Sequence, residues 1–153
     1  KLQPAIQRVK LAELYKLSYS QFEQRVTDKD IALCSEIPED FEFDADTTLF
    51  SQVINNIIGN SIKFTPRGGK ISIIAKEEGG GKTIRIKDTG VGIPPAKMES
   101  LFKEYEKHYT YGTEGEKGSG LGLSITKKIL DVHNYKIRCE SEPEKGTEFI
   151  IIL

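Results

Sequence analysis

The chain has 153 residues, 37% hydrophobic and 29% charged, with a formal net charge of −1. That length allows one domain with a sizeable core, and the near-neutral balance speaks against a broad nucleic-acid surface. No stretch approaches the ~18 consecutive apolar residues of a membrane span, and the opening is not expected to be a signal peptide.

The opening KLQPAIQRVK lacks an initiator Met, so the chain is expected to be a piece of a longer protein. VKLAELYKLSYSQFEQRVTDKD starts strand-like and turns helical, with Leu11, Leu14, Leu17 or Ser18, and Phe22 at helical spacing. IALCSEIP reads as a strand stopped by Pro38. DADTTLFSQVINNIIGNSIKFTP reads as a helix, with Asp44 or Asp46 as N-cap and Phe50, Val53, Ile54, Ile57, Ile58 and Ile62 as its apolar arc. KISIIAKE and TIRIKD form a hairpin across GGGK. VGIPPAKMESLFKEYEK predicts a short helix presenting Met98, Leu101, Phe102 and Tyr105, and HYTYGTEGEKGSG is a loop without period. LGLSITKKILDVH is a helix, and KIRCE and TEFIIIL are two closing strands. The pattern predicts an α+β fold: a two-layer sandwich with a mixed, largely antiparallel sheet of about five strands and about three helices on one face. Cys34 and Cys139 lack metal-ligand spacing and are expected to be buried thiols of a reducing compartment.

Three stretches can carry chemistry, each with a plainer alternative. Asn56, Asn60 and Lys63 stand at i, i+4 and i+7 on one helical face. They are either a solvated stripe or hard amide ligands for Mg²⁺ followed by a point charge for phosphates. Asp88 ends a strand just before Gly90 and Gly92. It either makes a turn or accepts from the exocyclic amine of a purine. Gly118, Gly120 and Gly122 alternate before an apolar helix and fit neither the dinucleotide fingerprint nor the Walker loop. They are either a flexible helix leader or a cradle for phosphate oxygens.

In this order, NIIGNSIKFTPRGG, DTGVGIP and GSGLGLSI resemble the asparagine box and the two glycine boxes of a known family. It is the ATP-binding catalytic domain of sensor histidine kinases, in the superfamily of DNA gyrase, heat-shock protein 90 and MutL. LFKEYEK stands where that family has its phenylalanine box, with Phe102 as the phenylalanine, and ESEPEKGTEFIIIL resembles its last hairpin. The resemblance spans 9–153 and leaves 1–8 as an expected stub of the junction with a phosphoacceptor domain.

The resemblance implies ATP and Mg²⁺ as cofactors. It implies Asn60 as Mg²⁺ ligand with Asn56 assisting, Lys63 on phosphate, and Phe64 beside the nucleotide. Asp88 would hold the adenine amine, with Gly90, Gly92 and Ile93 shaping that wall. Gly118, Gly120 and Gly122 would meet the phosphates, with Leu121 and Leu123 opening the helix behind them. Residues 95–117 would be a mobile lid, with Lys117 as a lid cation. Two departures stand out. HNYK replaces the family's paired glycines after the last helix, and Asn56 stands where the superfamily's ATPases have a glutamate base. An amide is no general base near neutral pH, so phosphoryl transfer to a histidine is expected rather than hydrolysis. His108 and His133, the two histidines of the chain, are expected at the surface or as caps. The acceptor is then expected on a separate dimerisation and phosphotransfer hairpin of the same kinase. A response regulator would be an indirect partner and the domain cytoplasmic, with neither nucleic acid nor membrane insertion. The alternatives are a degenerate nucleotide-binding scaffold and an ATPase of the gyrase type.

Overall fold

The computed structural model describes residues 2–103, 112–116 and 121–153. The elements run β1 (Gln7–Lys10), α1 (Leu11–Asp28), β2 (Ala32–Glu36), β3 (Glu42–Ala45), α2 (Thr47–Phe64), β4 (Lys70–Glu78), β5 (Gly81–Asp88), α3 (Pro95–Met98), α4 (Gly122–Val132), β6 (Lys136–Ser141) and β7 (Thr147–Ile152). Five strands form one sheet in the order β2-β4-β5-β7-β6, and β1 pairs with β3 in a separate two-stranded sheet. Within the large sheet β2–β4 is parallel and the other three pairings are antiparallel.

Strand alternation sends Ile71, Ile73, Ile84, Ile86, Phe149 and Ile151 to one face of the sheet, all fully buried. The isoleucine arc of α2 packs into the same core with Phe22, Val26, Ile129 and Leu130. Each such side chain contributes roughly 1.5–3 kcal/mol on burial. This is the expected two-layer α+β arrangement, with α1, α2 and α4 as its three long helices.

Several local expectations need correction. Glu42–Ala45 is a strand rather than the lead-in to a helix, and Phe43 and Ala45 point inward. Asp46 is the N-cap of α2: its Oδ1 accepts the Leu49 N–H at 3.0 Å. The helix expected after Pro95 is four residues long. Leu101 is nevertheless buried, and Phe102 meets Phe149 edge-on at 6.3 Å. Tyr105 and His108 lie outside the described residues. Cys34 is exposed, because β2 is an edge strand. Cys139 is half-buried, and desolvation pushes its thiol up to about 12.

His133 is the C-cap of α4, one of the two places expected for it, and it is buried rather than at the surface. Its Nε2 accepts the Asp46 N–H at 3.0 Å, and Nδ1 lies 2.8 Å from Ile129 O. Acceptance at Nε2 leaves Nδ1 as the donor, a neutral tautomer serving two backbone groups. Asn134 takes a left-handed turn at φ 60°, a conformation asparagine tolerates better than most residues. Tyr135 stacks on His133 at 5.8 Å and donates its hydroxyl to Asp44 O. Side-chain contacts here stand in place of the family's paired glycines.

Candidate functional site

A cavity of about 1040 Å³ lies between the C-terminal half of α2, the loop after β5, the start of α4 and residues 112–116. One wall carries Asn56, Asn60 and Lys63, and another carries Gly92 and Ile93, with Leu123 and Phe64 also on the lining. The helical repeat brings the three polar residues of α2 to one stripe about 10 Å long.

Asn56 is fixed by α4. Its Nδ2 donates to Gly122 O at 3.2 Å and to Thr126 Oγ1 at 3.4 Å. Both donations use the amide nitrogen, so Oδ1 remains as the acceptor. The Asn60 side chain has no hydrogen-bond partner among the described residues and stands on the cavity lining. The Lys63 ammonium lies 5.0 Å from the centre of the Phe64 ring. Desolvation lowers its pKa, against the pull of Glu116. Asn55 Oδ1 and Thr65 Oγ1 are buried without a hydrogen-bond partner among the described residues, and of the two Asn55 stands on the cavity lining.

Asp88, at the end of β5, is only 5% exposed. Its Oδ1 accepts from Gly90 N–H at 2.8 Å and Thr147 N–H at 3.2 Å. Burial pushes its carboxyl above the ordinary range, and these amides with the nearby Ser61 hydroxyl only partly oppose the shift. A carboxylate has about four lone-pair sites, so two backbone amides on Oδ1 and the Ser61 hydroxyl leave room for one further donor such as an exocyclic amine.

The glycines beside Asp88 serve the backbone first. A Cβ on Gly90 would stand 2.5 Å from Phe64 O, and the neighbouring Val91 N–H donates to that same carbonyl at 3.0 Å. Gly92 adopts φ +77°, and a Cβ there would strike Glu142 O at 2.0 Å. Their missing side chains admit α2 and the β6–β7 turn rather than a base. Ile93 is held by its N–H donating to Ser141 Oγ at 2.8 Å.

Leu121 is the N-cap of α4, and its carbonyl accepts from Ile125 N–H at 3.0 Å and Ser124 Oγ at 2.9 Å. Gly122 opens the helix beside Asn56, and no acidic residue occupies the first turn. An anion there meets free amides and the positive end of the helix. Lys117, Gly118 and Gly120 lie outside the described residues, as does part of the expected lid. Of its described stretches, 95–103 and 112–116, the second is tied down: Thr113 N–H donates to Lys63 O at 3.0 Å and Gly112 N–H to Glu116 O at 2.8 Å. Sequence reasoning missed Lys29 and Glu116, which line the cavity near Lys63. One signal was available. Lys29 continues the buried arc Leu14, Ser18, Phe22, Val26 by one more helical step.

No helix among the described residues is long and apolar enough to cross a membrane. Residues 45–153 match the family model described as histidine kinase-, DNA gyrase B-, and HSP90-like ATPase. The adaptive-response sensory kinase SasA of Microcystis aeruginosa is 37% identical over 132 residues, covering 85% of this chain and 34% of that protein. Sensor protein SrrB of Staphylococcus aureus is 39% identical over 108 residues, covering 71% of this chain and 18% of that protein. The chain thus spans about a third or less of these relatives' length. Among solved structures, the nucleotide-free catalytic domain of histidine kinase ThkA superposes with a TM-score of 0.82 at 31% identity, covering 97% of this chain and 96% of that one. ThkA in complex with response regulator protein TrrA matches at TM-score 0.78 and 30% identity, over 97% of this chain and 41% of that one. With the family model matching most of the chain and its boxes meeting around one cavity, the chain belongs to the histidine kinase-, DNA gyrase B- and HSP90-like ATPase family, among the catalytic domains of histidine kinases.

Proposed function

We infer that this chain binds Mg-ATP and transfers the γ-phosphoryl group to a histidine borne by a separate helical hairpin of the same kinase. One observation carries the reading. The polar stripe of α2, the loop 91–94 that follows Asp88, and Gly122 and Leu123 at the start of α4 line a single cavity, with Asn56 engaged with α4 through its nitrogen; Asp88 itself stands behind that lining, at the end of β5. Asp88 then accepts from the adenine amine, beside the apolar wall of Ile93 and Leu123. Lys63 supplies a point charge to the polyphosphate, and the first amides of α4 receive its oxygens. The donor set suits magnesium, a hard ion that takes amide oxygens, with Asn60 as ligand and Asn56 Oδ1 assisting. When bound, the metal supplies neutralisation of charge on the transferring group. Gly118, Gly120 and Lys117 are proposed to complete the phosphate side.

The choice of acceptor follows from Asn56. Water or a hydroxyl needs a base, and an amide is none. An imidazole attacks through a lone pair it already has. His133 is excluded as that imidazole, because both ring nitrogens are engaged and the residue is buried. The rise of α4 also sets it some ~16–18 Å from the helix start. The unit is proposed to be 9–153 with 1–8 as junction, so that the boundary cuts through β1. The location is proposed to be cytoplasmic, with a response regulator engaged through the phosphorylated hairpin.

The test incubates the chain with Mg²⁺ and γ-labelled ATP, alone and with a phosphoacceptor hairpin. Acid-labile label is expected on the hairpin and not on the chain, with slow phosphate release. Self-labelling or rapid release would overturn the reading.

A further inference from the structure

Lys29 follows α1 directly and is only 4% exposed. A buried ammonium is costly unless every donor is used. Here Nζ donates to Ile62 O at 2.8 Å, Lys63 O at 3.2 Å and Glu116 Oε2 at 2.6 Å. The two carbonyls belong to the last turn of α2, where intrahelical partners run out and a cation is favoured. Lys63 O also receives the Thr113 N–H at 3.0 Å, and Thr113 Oγ1 donates to Thr65 O at 3.3 Å. The backbone of Lys63 is therefore gripped from α1 and from residues 112–116 at once.

Glu116 is the other half of the grip. Its Oε1 accepts the Glu114 N–H at 2.9 Å, and its main-chain oxygen accepts the Gly112 N–H at 2.8 Å. Gly112 has no room for a side chain: a Cβ there would lie 2.3 Å from Lys63 O. Five residues thus fold around one carboxylate directed at Lys29. Burial pushes the Glu116 carboxyl up, but the Lys29 ammonium and the Glu114 amide outweigh it and hold it below the ordinary range. Glu116, Lys29 and Lys63 all line the same cavity.

We propose that Lys29 and Glu116 are positioning residues for Lys63, holding the end of α2 so that the Lys63 ammonium meets a nucleotide's polyphosphate. This deepens the nucleotide reading above and rests on it. Neither residue needs to touch the adenine end, which is built from the loop after β5. Loss of the pair therefore costs the polyphosphate and spares the base, because a misplacement of about 1 Å is enough to weaken a set contact greatly.

The experiment measures Mg-ATP and adenosine binding by calorimetry for the wild type, Glu116→Gln, Lys63→Ala and the double variant. Glu116→Gln keeps the shape and one of the two acceptor oxygens, and the side chain is about a third exposed, so the fold survives; Lys29→Met is a second variant, and melting curves of both serve as control. Glu116→Gln is expected to weaken Mg-ATP about tenfold and to leave adenosine within about twofold. In the Lys63→Ala background its effect on Mg-ATP is expected to vanish, as coupled residues require. Equal losses for both ligands, a full loss persisting without Lys63, or no loss at all would overturn the positioning role. If the wild type binds neither ligand, the nucleotide reading itself fails; if it binds both and Glu116→Gln changes nothing, the positioning role alone fails.

Discussion

Replacing His133 with Phe keeps a ring between Phe50 and Tyr135, which lie 6.1 Å and 5.8 Å from the imidazole centre. It removes both hydrogen bonds of the imidazole. Ile129 O, near the C-terminus of α4, loses its 2.8 Å donor, and the Asp46 N–H loses its 3.0 Å acceptor. The first bond is buried and the second half-buried. Each orphaned group costs about 1–3 kcal/mol. Discounting the half-buried one gives a total of about 2–4 kcal/mol. For a chain of this size each kcal/mol moves the melting point by about 2–4 °C, so a fall of roughly 5–15 °C is expected. The assay is thermal melting followed by far-UV circular dichroism, with Mg-ATP affinity measured below the transition. Affinity is expected to stay within about twofold, since the cavity lies at the opposite ends of α2 and α4. A melting point within about 1 °C of wild type would refute the two-bond account. So would a selective loss of ATP affinity at unchanged stability.

Asp88→Asn should weaken ATP binding about tenfold to a hundredfold, from the loss of a charge-assisted bond worth roughly 1.5–3 kcal/mol; unchanged affinity by calorimetry would remove Asp88 from the base site. The same variant should gain stability relative to wild type as pH rises. Burial raises the Asp88 pKa in the fold, so the penalty of its charge is absent below the unfolded value and grows as pH climbs through the folded one. Melting curves at acid and neutral pH check the sign. Asn60→Ala should abolish transfer to a phosphoacceptor hairpin at an unchanged melting point, because the Asn60 side chain has no hydrogen-bond partner among the described residues to lose; a collapse in melting would mark it as structural. Gly59→Ala should stabilise by roughly 0.5–1 kcal/mol, since the new Cβ meets only the flexible Arg25 guanidinium at 3.7 Å; a denaturation midpoint below wild type would contradict that.

The elements with strong period were legible. The isoleucine arc of α2 and the alternation of β4, β5 and β7 announce buried faces directly, and the polar stripe of α2 does line the cavity. Short elements were not. Glu42–Ala45 is too brief to show alternation beyond doubt, and its pairing with β1 is a long-range event. Leu101 and Phe102 imitate a helical face, yet they reach the core, Leu101 buried and Phe102 partly so, from a turn after a four-residue helix. The glycines near Asp88 show a deeper limit. Spacing reveals that a Cβ is not tolerated, and only the fold reveals that another backbone, not a base, occupies its place. Lys29 was visible only as a charge out of pattern, because its three acceptors come from segments far along the chain.

The ring of Tyr135, His133 and Asp46 has a mechanical meaning. It fastens the N-cap of α2 to the last turn of α4 and to Asp44 of β3, at the ends of the two helices remote from the cavity. The eleven residues of α4 form a lever of about 16 Å from that pivot. A tilt of about 4° about the pivot carries the start of α4 by about 1 Å, a step large enough to make or break alignment of a reacting group. A hydrogen-bonded joint thus stands where such a tilt moves α4 least, and the helix start proposed to receive phosphate oxygens stands where it moves α4 most.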